Sequence, residues 1–146
     1  MPVIIIGADA ASGREITDAL IGRTGEVRAF VTDRDAARDL KERGVKVAVG
    51  DVSDGSHVGA AAAGCFSAVL ITAAADDGRE RSFAATPAEV HVTWAEALED
   101  AAVSRIIWIG AAEPARSIAT ITPDFTAVDP ARQDLAAEVL SLDDRA

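Results

Sequence analysis

Short runs of β-branched residues alternate along this chain with longer amphipathic segments, and this alternation constrains the fold more than any other feature. Each run is almost continuously apolar, as is typical of a strand buried on both faces of a sheet. The runs are Val3–Ile6, Glu26–Val31, Val45–Val49, Ala68–Thr72 and Arg105–Ile109. The pattern predicts a doubly wound α/β fold, with a parallel sheet of about five strands in the order 3-2-1-4-5 and helices on both faces.

Start and stop signals place the helices between these strands. Ser12 and Glu15 have the spacing of a capping box, which predicts a first helix that ends at Gly22. Asp33 is expected to cap a second helix that runs to Gly44. Further helices are expected at Ser53–Ala63, Thr86–Ala102 and Asp129–Leu140. The last two begin with a capping residue followed by proline, and the segments Ala73–Ala85 and Gly110–Val128 are predicted to be long loops.

Length and composition exclude several classes of protein. The 146 residues predict one domain that spans residues 1–146. A net charge of −10 counts against binding to nucleic acid or to an anionic membrane, which both require clustered lysine and arginine. The first residues lack the features of a signal peptide, so we expect a cytoplasmic protein. Cys65 is the single cysteine, which excludes a disulfide framework, and no metal site is expected.

The junction between the first strand and the first helix carries the most specific signal in the chain. Gly7 follows the strand directly and is expected to form a tight turn, and Gly13 would let the helix pack closely on the strand. The N-terminus of a helix offers free N–H groups and a partial positive charge to a pyrophosphate. The context of strand, glycine-spaced turn and helix therefore predicts a phosphate-binding turn.

With this turn, the sequence resembles the NmrA-like group of atypical short-chain dehydrogenases/reductases, in which the turn reads Gly-Ala-Thr-Gly-x-x-Gly. The similarity continues through Val27–Asp33, Gly44–Val45, Val49–Asp51, Ala68–Thr72, Ala95–Ala97 and Arg105–Ile109. The resemblance implies a Rossmann-like domain that binds NADP or NAD. It implies a pyrophosphate site at Gly7, Asp9, Ala10, Ala11, Ser12 and Gly13, a ribose site at Thr32 and Arg34, an adenine site at Asp51 and Val52, and a nicotinamide site at Thr72, Ala73 and Ala74.

The turn departs from the family pattern at two positions. Ala10 replaces the middle glycine, which would cost roughly 1 kcal/mol if its φ were positive. Asp9 replaces threonine, and a carboxylate that pointed inward at about 5 Å would repel a phosphate by roughly 3 kcal/mol. Both changes are expected to weaken cofactor binding. Thr32 and the nearby cation Arg34 favour NADP over NAD.

The catalytic half departs further from the family. Gly110, Ala111 and Ala112 follow the fifth strand, where active members carry Ser or Thr, and the sequence contains no tyrosine for the usual Tyr-x-x-x-Lys helix. The family's further strands and substrate-binding lobe would have to come from a partner. We therefore expect a binding or regulatory module that lacks the usual chemistry.

Two other classes of function stay open. An enzyme of altered mechanism, such as an isomerase, a cyclase or an NAD(P)H-dependent reductase, would act on a small apolar metabolite. His91, Asp76 and Asp77 are its candidate proton-transfer groups, since adjacent carboxylates can raise each other's pKa. The alternative interpretation places His91 on a helix surface or subunit interface and the two aspartates in a solvated loop. A third possibility is a shortened subunit that completes its sheet or its pocket only in a homo-oligomer or a hetero-oligomer.

Overall fold

A single parallel sheet organises the protein. The computed structural model describes residues 2–23, 25–79, 81–110 and 116–145, and of Arg116 only the backbone. Within these ranges the strands are β1 (Val3–Ile6), β2 (Val27–Val31), β3 (Lys46–Val49), β4 (Ser67–Ile71), β5 (Arg105–Ile109) and β6 (Asp124–Val128). Their order is β3-β2-β1-β4-β5-β6, and all pairs are parallel. The predicted doubly wound α/β fold is confirmed, with one strand more than expected.

Helices cover both faces of this sheet. They are α1 (Ala11–Ile21), α2 (Arg34–Glu42), α3 (Gly55–Ala62), α4 (Ala73–Asp76), α5 (Pro87–Asp100), α6 (Arg116–Ala119) and α7 (Leu135–Asp143). Helices α1, α2 and α7 share one apolar core with the sheet, and α3 and α5 share the other. Parallel strands connected through helices require this two-faced cover. No helix in the described ranges combines the length and the apolar character of a membrane span.

The central strands show why their sequences are continuously apolar. In β1, Val3 and Ile5 belong to the core under α1, α2 and α7, whereas Ile4 and Ile6 belong to the core under α3 and α5. All four side chains are fully buried. Because successive side chains of a strand point to opposite faces, a strand covered on both sides has no position left for a polar residue.

The capping signals are confirmed at α2 and α5. The Asp33 carboxylate accepts a hydrogen bond from the backbone N–H of Asp35, and Thr86 and Glu89 form the predicted capping box with Pro87 at the first helical position. The capping box at Ser12 is wrong, because α1 begins at Ala11 and Ser12 lies inside its first turn.

The C-terminal part was predicted less well. The segment Gly110–Val128 is not a continuous loop, because it contains α6 and the edge strand β6. Asp129 and Pro130 do not start the last helix. The Asp129 carboxylate accepts a hydrogen bond from the backbone N–H of Ala131, which makes a turn at the end of β6, and α7 begins at Leu135.

Candidate functional site

The turn between β1 and α1 lies where the carboxyl ends of the central strands meet. Gly7 has a φ of +90°, and a Cβ on it would lie 2.8 Å from the Cβ of Ala74. A Cβ on Gly13 would lie 2.1 Å from the backbone oxygen of Gly7. Both positions therefore require glycine, the first for a left-handed conformation in a crowded turn and the second for close packing of α1.

The N-terminus of α1 carries no side-chain cap in the part of the chain that the structure describes. Asp33, Asp54 and Thr86 accept hydrogen bonds from first-turn amides of α2, α3 and α5, whereas Ala10 at the start of α1 has no side chain that could accept one. The first N–H groups of a helix have no intrahelical acceptor. The amides of the first turn of α1 are thus left to solvent or to an external anion.

Ala10 fits its position without strain. Its φ is −70° and its ψ is 158°, which is ordinary extended backbone for any residue. The free-energy cost that a positive φ would impose on an alanine at this position is therefore absent. The replacement of the middle glycine therefore adds a methyl group to the turn but no unfavourable backbone conformation.

The Asp9 carboxylate is directed to the end of β2. Its Oδ2 atom accepts three hydrogen bonds of 3.0 Å, from the backbone N–H and the hydroxyl of Thr32 and from the backbone N–H of Asp33. Because the carboxylate is turned to the end of β2, the repulsion of a pyrophosphate considered for an inward-pointing side chain does not apply, and its negative charge lies beside Thr32 and Asp33. The contact also joins two predicted site residues, Asp9 and Thr32.

Arg34 begins α2 beside this contact and is exposed. A groove of about 310 Å³ lies between α1 and α2. Its charged lining consists, among the described residues, of Asp9, Asp18, Asp33, Asp39, Arg14 and Arg43. The Asp18 carboxylate pairs with Arg43 at 2.8 Å. This side of the site therefore carries more negative than positive charge.

Asp51 connects the end of β3 to the loop that follows α4. Its carboxylate accepts hydrogen bonds from the backbone N–H and hydroxyl of Ser53, at 2.8 and 2.5 Å, and from the backbone N–H of Ser82 at 2.7 Å. Burial alone would raise the pKa of Asp51, but the hydrogen bonds from Ser53 and Ser82 outweigh it and the pKa is lowered. The hydroxyl of Ser53 also accepts a hydrogen bond from the backbone N–H of Phe83 at 2.9 Å. Ser53 and Ser82 are not among the site residues that the sequence predicts, because the contacts from this segment to Ser82 and Phe83 join positions about thirty residues apart and leave no local signal.

Val52 is part of the core. Its side chain is buried, and its carbonyl accepts a hydrogen bond of 2.8 Å from the indole Nε1 of Trp94. The contact fixes the segment after β3 against α5. The packing of Val52 in the core and its hydrogen bond with Trp94 therefore fix the backbone next to Asp51.

The ends of β4 and β5 are joined through Thr72. Its backbone N–H and its hydroxyl both donate to the carbonyl of Ile109, at 3.1 and 2.9 Å. A Cβ on Gly110 would lie 2.5 Å from the Thr72 side chain, so the first position after β5 has no room for a serine or threonine. Ala73 is exposed and Ala74 is buried against Gly7. Ala111 and Ala112 lie outside the described residues.

His91 lies on α5, on the face of the sheet that α3 and α5 cover, next to β5. Its ring packs edge-on against Trp108 of β5, with 4.8 Å between the ring centroids, and lies 5.8 Å from the ring of Trp94. Its Nε2 atom is buried and has no hydrogen-bond partner among the described residues. Burial lowers the pKa of His91, and the negative charge of Asp76 partly opposes this. The fold therefore places Asp76 within electrostatic range of His91.

Asp77 behaves differently from its neighbour. Its carboxylate accepts hydrogen bonds from the Arg79 guanidinium at 3.1 and 2.9 Å and from the Arg79 backbone N–H at 3.0 Å. These bonds lower the pKa of Asp77 to about 2. The raised pKa expected for adjacent carboxylates does not occur at Asp77, because Arg79 neutralises its charge. Within the described ranges, no three His, Cys, Asp or Glu side chains come together as a group that could hold a metal ion.

Comparison with protein families gives a match over most of the chain. The model of a family described as NAD(P)H-binding matches residues 7–140. This range includes the β1–α1 turn and every candidate residue considered above. No curated protein matches the sequence significantly.

Solved structures share the fold at low sequence identity. A triphenylmethane reductase from Citrobacter sp., complexed with NADP(H), superimposes with a TM-score of 0.69 at 19% identity over 87% of this chain and 48% of its own. An NADPH-dependent quinone oxidoreductase from Escherichia coli superimposes with a TM-score of 0.61 at 22% identity, over 74% of this chain and 36% of its own. An anaerobillin reductase from Escherichia coli O157:H7 superimposes with a TM-score of 0.60 at 23% identity, over 76% of this chain and 51% of its own. The chain thus spans about half the length of these proteins or less.

Proposed function

The chain belongs to a family described as NAD(P)H-binding, and from this premise we propose that it is an NmrA-like, atypical short-chain dehydrogenase/reductase that binds a nicotinamide dinucleotide as a non-classical binding or regulatory module. The pyrophosphate would lie at the N-terminus of α1. The adenine would lie beside Asp51, and the nicotinamide beside Thr72 and Ala73. A bound nicotinamide ring would supply a hydride donor or acceptor at this edge of the sheet.

The observation that carries the proposal is the uncapped start of α1 directly after Gly7. A Cβ at Gly7 or Gly13 would fill the space that this turn needs, and no side chain in the described ranges competes for the first-turn amides of α1. Helix N-termini of this kind bind phosphate through backbone N–H groups and the helix dipole. The residues present thus suit a pyrophosphate.

The module would lack the usual catalytic groups. The sequence contains no tyrosine, and Gly110 stands where a serine or threonine would be needed. Lys41 and Lys46, the two lysines, lie on α2 and β3. Lys46 pairs with Glu26 at 2.5 Å. These features support binding without Tyr-Lys chemistry.

Isothermal titration calorimetry with the oxidised and reduced forms of NAD and NADP tests the proposal. We expect at least one form to bind the unaltered chain. Ala11→Glu should weaken that binding at least tenfold, because a carboxylate in the first turn of α1 repels a pyrophosphate while it remains favourable for the helix dipole. Ala60→Glu, at an exposed position of α3, makes the same charge change and should leave binding unaltered. Absence of binding at millimolar dinucleotide, or full binding by Ala11→Glu, contradicts the proposal.

A second candidate function is proton transfer by His91. The buried, unpartnered Nε2 and the nearby Asp76 favour it, since a histidine that transfers a proton needs a free nitrogen and a polarising neighbour. In a reductase that used His91, a reduced dinucleotide would give a hydride to a quinone, and the protonated form of His91 would supply the proton that completes the hydroquinone.

The loss of NADH absorbance in the presence of a quinone tests this second function. His91→Gln should slow the reaction about a hundredfold without a change in the dissociation constant for NADH. Asp76→Asn should have a smaller effect. If no quinone is reduced, the chain is not a quinone reductase and this second function fails. If His91→Gln reacts as fast as the unaltered chain, His91 is not the proton-transfer group of the reaction. The expected apolar metabolite and the homo-oligomer stay predictions.

A further inference from the structure

The Asp9 carboxylate is held at the end of β2 in the way that proteins bind an anion. One carboxylate oxygen accepts hydrogen bonds from two successive backbone N–H groups, those of Thr32 and Asp33, and from the Thr32 hydroxyl, all at 3.0 Å. Successive N–H groups of this kind form an anion-binding concavity. In this protein the anion comes from the chain itself, from the turn that precedes α1.

The place of this contact relates it to the dinucleotide. In doubly wound folds, the end of the second strand meets the adenosine ribose, where a carboxylate accepts a hydrogen bond from the 2′-hydroxyl of NAD and a cation accommodates the 2′-phosphate of NADP. We infer that Asp9 makes the site select NAD(H) over NADP(H), an inference that rests on the proposed function. Its carboxylate occupies the donors that a 2′-phosphate would need and repels that phosphate.

The negative charges around Asp9 also disfavour a 2′-phosphate. The groove between α1 and α2 is lined by the carboxylates of Asp18, Asp33 and Asp39 as well as Asp9. Arg43 is engaged with Asp18 at 2.8 Å and with Asp39 at 3.6 Å. Arg14 is the second arginine of the lining, so among the described residues four carboxylates face two guanidinium groups. A phosphate carries about two negative charges at neutral pH, so this groove disfavours it more than it disfavours a hydroxyl.

A preference for NAD(H) is the opposite of the preference for NADP that the sequence predicts. That preference rested on Thr32 and Arg34, and Arg34 is exposed at the start of α2. The hydroxyl and N–H of Thr32, however, already donate to Asp9. The selection of NAD(H) would separate this chain from the triphenylmethane reductase and the quinone oxidoreductase, which are described with NADP(H) and NADPH.

Titration of the full chain with NADH and with NADPH tests the inference. We expect NADH to bind at least tenfold more tightly than NADPH. In Asp9→Thr the carboxylate is replaced by a neutral side chain, and in Asp9→Asn by a neutral group of the same shape. Both variants should lose most of the discrimination, chiefly because NADPH binds more tightly. Thermal denaturation of each variant shows whether it is folded.

Asp35→Asn is the matched control, because Asp35 is an exposed carboxylate in the first turn of the neighbouring α2. It should keep the tenfold preference. The inference is overturned if NADPH binds the unaltered chain as tightly as NADH, or if Asp35→Asn changes the preference as much as Asp9→Asn does. If the unaltered chain binds neither dinucleotide, the proposed function fails, and the inference fails with it.

Discussion

The backbone oxygen of Gly7 lies only 2.1 Å from the point where a Cβ on Gly13 would stand. Helix α1 therefore packs against the β1–α1 turn at a distance that only glycine allows. The same close approach brings the first-turn amides of α1 next to the end of β1.

Gly13→Ala is expected to destabilise the protein by about 3 kcal/mol, because α1 must move away from a backbone atom that cannot yield. Chemical denaturation measures the change in the free energy of unfolding. Gly22→Ala is the control: Gly22 has a φ of −73°, and a Cβ on it would lie 3.6 Å from the nearest atom, the Ala19 oxygen. It should keep or slightly increase stability. Equal stability of the two variants would show that α1 does not depend on this approach.

Ser53→Ala should loosen the loop that contains Ser82 and Phe83. The substitution removes a hydrogen bond to Asp51 and leaves the N–H of Phe83 without its acceptor. The loss of a hydrogen bond of this kind costs about 0.5–1.5 kcal/mol. Hydrogen exchange at the Ser82 and Phe83 amides should become faster. Ser56→Ala, at an exposed position of α3, should change neither amide. Unchanged exchange in Ser53→Ala would mean that the loop is held by other contacts.

Arg105→Met should be among the most destabilising single substitutions at the amino end of the sheet. The buried guanidinium donates to the Asp124 carboxylate at 2.7 Å and to the carbonyls of Asp143 and Arg145 at 2.8 and 2.6 Å. Its removal breaks the ion pair with the partly exposed Asp124 and leaves the carbonyl of the buried Asp143 without its donor, which costs about 1–3 kcal/mol. Arg132→Met removes an exposed ion pair with Asp134 and should cost less than about 1 kcal/mol. Urea denaturation distinguishes the two, and similar losses would contradict the structural role of Arg105.

His91 should make stability depend on pH. Burial lowers its pKa in the folded state, so the unfolded chain binds the proton more readily, and protonation favours unfolding. The free energy of unfolding should therefore fall as the pH drops below about 6.5 and level off below the folded-state pKa. His91→Gln should flatten this part of the curve, whereas His57→Gln should retain it. An unchanged slope in His91→Gln would show that other groups cause the dependence.

The sequence predicted the elements whose signals are local and strong. Val3–Ile6 and Arg105–Ile109 were placed without error, because a strand covered on both faces is continuously apolar. The start of α5 was equally clear from Thr86 and Pro87. Strand β6 was missed because it lies at the edge of the sheet, where Asp124 and Thr126 remain partly exposed and interrupt the apolar pattern.

The site was predicted as a set of positions and not as a set of contacts. The spacing of Gly7 and Gly13 located the turn, since both roles depend on the backbone alone. The orientation of Asp9 could not be read from the sequence, because it depends on donors 23 and 24 residues away. The packing of His91 on Trp108 is likewise a product of the assembled sheet.

The location of bound dinucleotide is the most direct test of the central claim, and a chain of 15.1 kDa is small enough for it to be followed residue by residue by nuclear magnetic resonance. We expect addition of NADH to shift the backbone amide signals of Gly7, Ala11, Ser12 and Gly13 most strongly, and to leave those of Gly22 and Gly44 unchanged. Absence of any shift at millimolar NADH, or shifts confined to residues outside the β1–α1 turn and the ends of β2, β3 and β4, would contradict the account.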